Sequence, residues 1–196
     1  MICLGFTIKN FDANTDIKYL PALKALADEG LSTGYFTDEV LNGFKQGKYF
    51  CTMAIDDSDK LLGINYGRFE TKEEIAEMMR CTVAEVETLF KGEELFFEQI
   101  GMVISKSARG LGLSKIMMSR FKDGVFTKVN TSVTGLWIRN GDEEPIVRLE
   151  KSAGSVFLKR IPDYWYDDPD LYCDVCKGRC HCNCDIYYVT KENFKL

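Results

Sequence analysis

No stretch of this 196-residue chain is long and apolar enough to cross a bilayer, which takes about 18–20 consecutive apolar residues. A membrane-spanning helix is therefore excluded. The opening residues, Met1-Ile2-Cys3-Leu4-Gly5-Phe6, carry no basic n-region and run straight into Lys9 and Asp12. They read as a first strand rather than a secretion signal. The expectation is a cytoplasmic protein whose thiols stay reduced. An excess of positive charge is also missing. The 25 Lys and Arg stand against 30 Asp and Glu, a net −5. That balance argues against a nucleic-acid partner, because neutralising phosphates takes clustered cations. Histidine occurs once, as His181, and its setting among cysteines suggests metal or structure before catalysis. Neither an internal repeat nor a low-complexity linker interrupts the chain, so one domain over residues 1–196 is expected.

What remains is ordinary globular composition, 45% hydrophobic and 12% aromatic, enough for a real core. Phe6 to Phe11 alternates as a strand does. Leu20, Leu23 and Leu26 mark a helix with Pro21 in its first turn and Gly30 as its stop. Thr37 can cap a second helix that ends at Gly47. Tyr49 to Ile55 and Leu61 to Phe69 form a hairpin about the polar turn 56–60. Thr71-Lys72-Glu73-Glu74 and Thr82-Val83-Ala84-Glu85 each match a capping box and open two short helices, a helical insertion over 71–94. Leu95 to Ile104 reads as the fourth strand and 113–126 as a helix. Ser132 to Ile138, Val156 to Ile161 and Ile186 to Val189 are further strands, with a helix from Pro145 ended by Gly154 between the first two. The order is that of a mixed α/β (α+β) sheet.

Between the fourth strand and the helix after it lies Arg109-Gly110-Leu111-Gly112-Leu113-Ser114. A strand passing to a helix through glycines exposes unpaired N–H groups at the helix start, an anion site suited to phosphate. Arg109 adds a charge that reaches phosphate oxygens. An ordinary strand-to-helix turn is the plain alternative. In this strand order, Arg109, Gly112 and Ser114 resemble the pyrophosphate loop of the GNAT superfamily of acetyl-CoA-dependent N-acyltransferases. The C-terminal half is similar to the branch that acetylates protein N-termini, ribosomal proteins included. Trp137-Ile138-Arg139, Leu149-Glu150-Lys151 and Arg160-Ile161-Pro162-Asp163-Tyr164-Trp165 carry that likeness. Asp142 stands where an Asn is usual, Lys106 where Pro is common, and Leu149 in place of the Tyr credited as general acid.

The resemblance implies a mostly antiparallel central sheet flanked by helices and splayed between strands four and five. Acetyl-CoA would be the cosubstrate, and an amine of a small molecule or peptide the acceptor. Residues 109–114 would hold the pyrophosphate, with Asn140 in the same cofactor set. A backbone N–H near Val103 or Ile104 would face the thioester carbonyl. Glu98, a carboxylate inside the apolar run Phe96-Phe97-Glu98-Gln99-Ile100, is the candidate general base. A Glu on the wet face of the sheet is the alternative. Tyr164 and Tyr166 are candidates for the missing acid, or plain aromatics of the last hairpin. The 71–92 pair is either a lid over the acceptor channel or a surface hairpin. Acidic loops (Asp142, Glu143, Glu144; Asp167, Asp168, Asp170) suit a cationic amine or are solvated charge.

Five of the eight cysteines crowd one excursion, about 163–185, reading Cys173-x2-Cys176-x3-Cys180-His181-Cys182-x-Cys184. Cys-x2-Cys followed by Lys177-Gly178 resembles a zinc knuckle. Cys180, Cys182 and Cys184 would share one face of an extended strand. Four of the five thiolates could close a structural tetrahedral site. Free thiols and an iron–sulfur cluster are the competing readings. Cys3, Cys51 and Cys81 read as small core residues. The functional expectation is an N-acetyltransferase acting by direct attack of the amine. The alternative from another class is a non-catalytic acyl-CoA- or protein-binding module that uses the zinc hairpin for interaction.

Overall fold

The computed structural model describes residues 5–139, 144–169 and 171–196. Seven strands form one sheet: β1 (Phe6–Asn10), β2 (Phe50–Asp56), β3 (Leu61–Thr71), β4 (Leu95–Ile104), β5 (Thr131–Ile138), β6 (Val156–Ile161) and β7 (Asn183–Thr190). Their order is β1-β2-β3-β4-β5-β7-β6. All neighbours are antiparallel except β4 and β5. Those two pair in parallel only from Phe97 to Gln99, opposite Ser132 to Thr134. Beyond that point they diverge, leaving a gap in the middle of the sheet.

Two local features open the gap. The β3–β4 register slips between Tyr66 and Gly67, so Ile100 is an extra residue that bends β4. Gly67 is required at the slip, since a Cβ there would sit 2.1 Å from the Glu98 carbonyl oxygen. The bend turns the outer half of β4 away from β5, which pairs with β7 on its other edge from Thr131 to Ile138.

Helices cover both faces. On one lie α1 (Leu20–Gly30), α2 (Asp38–Lys45), α3 (Lys72–Met78) and α4 (Val83–Leu89). Leu23, Leu26 and Phe44 pack there against Ile64 and Tyr66, while Ile75 and Val86 pack with Phe96 and Ile186. The other face carries α5 (Leu113–Ser119) and α6 (Pro145–Ala153), which meet around Phe97, Met118 and Leu149. Strand alternation explains the division, because neighbouring Phe96 and Phe97 point to opposite faces. The expected capping boxes at Thr71 and Thr82 both form. Lys72 ties α3 to α4 through ion pairs with Glu87 and, at 2.7 Å, Glu94.

The helix expected over 113–126 is shorter and ends at Ser119. The chain then turns on bonds such as Phe126 N–H to the Phe121 carbonyl, 2.8 Å. Phe121, Val125 and Phe126 are all buried in this turn. Gly124 also lets the turn lie on the Phe50 ring, 2.3 Å from where a Cβ would be. Cys51 is buried and Cys81 half-buried; Cys3 lies outside the described residues.

Candidate active site

At the end of β4 the chain makes a single turn of 3-10 helix (Lys106–Ala108) and enters the glycine loop. Gly110 and Gly112 have φ of +83° and +76°, a left-handed conformation that side chains disfavour. Open space surrounds both glycines, since a Cβ at either would meet nothing within 4 Å. None of the 109–114 amides donates to another backbone group, whereas the Gly112 carbonyl takes Lys115 N–H at 3.1 Å. Unspent donors just ahead of a helix start suit a diphosphate. Leu113 is buried and anchors the loop, while Leu111 and Arg109 remain exposed and Ser114 partly so. Arg109 Nε donates to the Ile104 carbonyl at 3.4 Å, holding the loop beside the gap.

The two candidate oxyanion donors separate. Ser105 N–H bonds across to the Leu62 carbonyl of β3 at 2.8 Å. Strand alternation therefore turns Val103's amide toward β3 as well, and the amides of Met102 and Ile104 toward the gap. Ile104 can present an N–H to a carbonyl in the gap; Val103's is spent on the sheet, and its side chain is buried against α1.

On the face carrying α1 to α4, a cavity of about 190 Å³ is lined by Tyr35, Val40, Tyr49, Tyr66, Arg68, Glu98 and Ile100. Glu98 is thus not on a wet face; its side chain is 14% exposed. Burial pushes its carboxyl above the usual range, partly offset by Arg68, whose Nε lies 3.1 Å away. Arg68 also pairs with Glu70. Burial, then a hydrogen bond with Glu74, pushes Glu70 up to about 8. The Tyr35 and Tyr66 hydroxyls are hydrogen-bonded to each other, and burial holds Tyr66 well above the ordinary phenol range. A carboxylate in a partly desolvated aromatic cavity, steadied by one guanidinium, can take a proton from an amine near neutrality. Tyr35, Tyr49, Tyr66, Arg68 and Glu70 were not among the candidates read from sequence.

The aromatic acid candidates fare differently. The Tyr164 hydroxyl donates to the Met78 carbonyl at 2.7 Å and its ring lies under Arg80. Its proton is committed to joining the excursion to α3. Tyr166 faces His181 and Arg179 on the excursion's surface, 37% exposed, and lines no part of the cavity. Leu149 packs in the apolar core beneath α6, so no hydroxyl stands at that position. Asn140, Asp142, Glu143 and Asp170 lie outside the described residues; Glu144 accepts Arg139 N–H at 2.6 Å. The pair α3–α4 packs on the sheet around Phe96 and Ile186 and lines no part of that cavity, with Glu87 and Glu94 engaged by Lys72.

A second cluster sits in the excursion. The sulfurs of Cys173, Cys176, Cys180 and Cys182 all lie within 4.8 Å of one another. Cys184 is not with them. The strand begins only at Asn183, the chain turns before it, and the Cys184 thiol is buried beside Ile186 and Val133. There burial pushes it up to about 12. His181 turns away to Asp163, 2.9 Å from its Nδ1, and supplies no ligand to the cluster.

No family model matches the chain, and no curated protein matches its sequence. Solved structures do. NAA60 of Arabidopsis thaliana in complex with acetyl-CoA superposes with a TM-score of 0.69 at 12% identity, covering 95% of this chain and 99% of that one. A GNAT superfamily phosphinothricin acetyltransferase from Sinorhizobium meliloti gives 0.63 at 14%, covering 95% and 89%. The ribosomal-protein-S18-alanine N-acetyltransferase of Escherichia coli gives 0.60 at 12%, covering 94% and 93%. The chain has the fold of the GNAT acetyltransferases, with its sheet parted where the expected splay between β4 and β5 lies.

Proposed function

We propose that this chain is an acetyl-CoA-dependent N-acetyltransferase acting on a primary amine by direct attack. The observation that carries the reading is the arrangement around the β4–β5 gap. The donor-rich 109–114 loop follows the outer half of β4, which leaves β5 after Gln99, and the same strand carries Glu98 into its cavity. Acetyl-CoA, when bound, supplies an activated acyl group. The 109–114 amides and Arg109 would hold its diphosphate, and the Ile104 amide would stabilise charge developing on the acyl oxygen. Glu98 would accept the proton of the attacking amine. A leaving thiol of ordinary pKa, about 8.5, can depart as thiolate near neutral pH, so the missing hydroxyl at Leu149 is compatible with transfer. The four-cysteine cluster belongs to the same proposal as a structural zinc site.

Acetyl-CoA is expected to raise the melting temperature, and Gly112→Glu to abolish the rise by repelling phosphate. No shift with any acyl-CoA would overturn the reading. A thiol-release screen over small amines, polyamines and N-terminal peptides then identifies the acceptor. Leu149 favours one second reading, a non-catalytic acyl-CoA-binding module, which predicts the thermal shift with no thiol release from any amine.

A further inference from the structure

The 163–182 excursion has little regular structure of its own. Among its described residues it contains one isolated bridge, Cys173 to Gly178, and Trp137, Trp165 and Leu171 pack against its cysteines. Yet it is tied to two places on the face that bears the cavity. Ser32, buried to 2%, donates its hydroxyl to the Tyr172 carbonyl at 2.8 Å, one residue before Cys173. Ser32 opens the α1–α2 connection, where its own carbonyl receives Tyr35 N–H at 3.1 Å, and Tyr35 lines the cavity. At the second place, Tyr164 bonds the end of α3.

All four sulfurs lie within 4.8 Å of one another, and two of their separations match the edge of a tetrahedral zinc site. A zinc–thiolate bond of about 2.3 Å gives a tetrahedron edge of roughly 3.8 Å. The sulfurs of Cys173 and Cys182 are 3.8 Å apart and those of Cys176 and Cys182 3.7 Å. Amide donors already point at two of them: Cys176 N–H to the Cys173 sulfur at 3.4 Å, and His181 N–H to the Cys176 sulfur at 3.3 Å. Such donors delocalise thiolate charge around a bound metal.

We propose that zinc held by Cys173, Cys176, Cys180 and Cys182 shapes the acceptor site at a distance. By ordering the excursion it anchors Tyr172 against Ser32 and so fixes Tyr35, leaving the 109–114 loop independent of the metal. Zinc binding displaces the thiol protons, and with four protein ligands no coordination position stays open for chemistry. The word acceptor rests on the acetyl-transfer reading. The metal and the tether do not.

The test uses the full chain. Metal analysis should find one zinc per chain, and cobalt replacement should give an intense thiolate charge-transfer band that Cys176→Ser removes. Amide exchange is then followed with zinc present, after chelation, and after zinc is restored. Chelation should speed exchange at Leu31 and Tyr35 about tenfold or more, and zinc should reverse it, with α5 and the acetyl-CoA thermal shift unchanged. Ser32→Ala, which leaves the ligands intact, should keep its zinc. Its exchange at the same amides should rise about fivefold, the value of one hydrogen bond, and the KM for the amine should rise with it.

Absence of zinc, or iron in its place, overturns the proposal. So does unchanged exchange at Leu31 and Tyr35, or loss of the acetyl-CoA shift on chelation alone. If the zinc-loaded chain shows no shift with acetyl-CoA at all, the acetyl-transfer reading fails while the exchange data still decide this one.

Discussion

Glu150 makes this protein's stability fall as pH rises through the acidic range, the opposite of what paired carboxylates do. It lies on the buried side of α6 with 1% of its surface exposed. One carboxylate oxygen accepts the Ser155 hydroxyl at 2.6 Å; the other, Oε1, has no protein partner. Burial, offset only in part by that hydroxyl, pushes its pKa from the ordinary 4.5 to about 7. Between those two values the native state holds a proton that the unfolded chain has released. The Glu150 contribution is therefore complete below about pH 4.5, declines to about pH 7 and is flat beyond. At 1.36 kcal/mol per pH unit the decline amounts to roughly 3 kcal/mol. Glu150→Gln stays neutral throughout and should escape it. In a chain of this length 1 kcal/mol moves Tm by roughly 2–4 °C. The variant should thus melt close to wild type at pH 5 and about 6–12 °C above it at pH 8. Thermal unfolding at four pH values in zinc-containing buffer reads this directly. Parallel Tm curves across the range would refute the reasoning, because they would mean that Glu150 is as well solvated as in the unfolded chain.

Further perturbations test the site itself. Glu98→Gln should lower kcat/KM for the amine by about 10²–10⁴-fold, the usual contribution of a positioned base, and flatten the rise of rate with pH above 4.5; a loss under about threefold would show that Glu98 is not the base. Tyr164→Phe should cost about 1 kcal/mol of stability, one hydrogen bond, and leave turnover within about twofold. A hundredfold drop measured by thiol release would return Tyr164 to the chemistry.

The elements were legible where a local rule decides them. The capping boxes at Thr71 and Thr82, the polar turn 56–60 and the Gly154 stop each act within a few residues of sequence. All appear where expected. The glycine loop was legible for the same reason, since a positive φ at Gly110 and Gly112 is a property of the residue type. The end of α5 was not. Val125 and Phe126 are drawn inward by contacts with Phe97 and Phe194, and tertiary burial of this kind overrides helical spacing.

The Glu98 cavity was illegible for a more specific reason. Its lining comes from one residue or two on each of several elements: Tyr35 from the α1–α2 connection, Tyr49 beside β2, Tyr66 and Arg68 from β3, Glu98 from β4. In a strand pattern Tyr66 reads as one more apolar residue and Arg68 as a break in the run. What makes them a site is the Ile100 bulge, which swings β4 so that Glu98 meets Arg68 across the pair. The bulge itself has no signature beyond Gly67 and Gly101, two glycines in neighbouring strands. The cysteines show the converse. Their spacing marked a cluster, but the choice of four from five turned on where β7 begins. Starting the strand at Asn183 sends Cys184 into the core and leaves Cys182 with the other three sulfurs. Residue types thus marked the cysteine cluster and Glu98, whereas the partners of Glu98 were selected by a backbone bulge that local sequence does not announce.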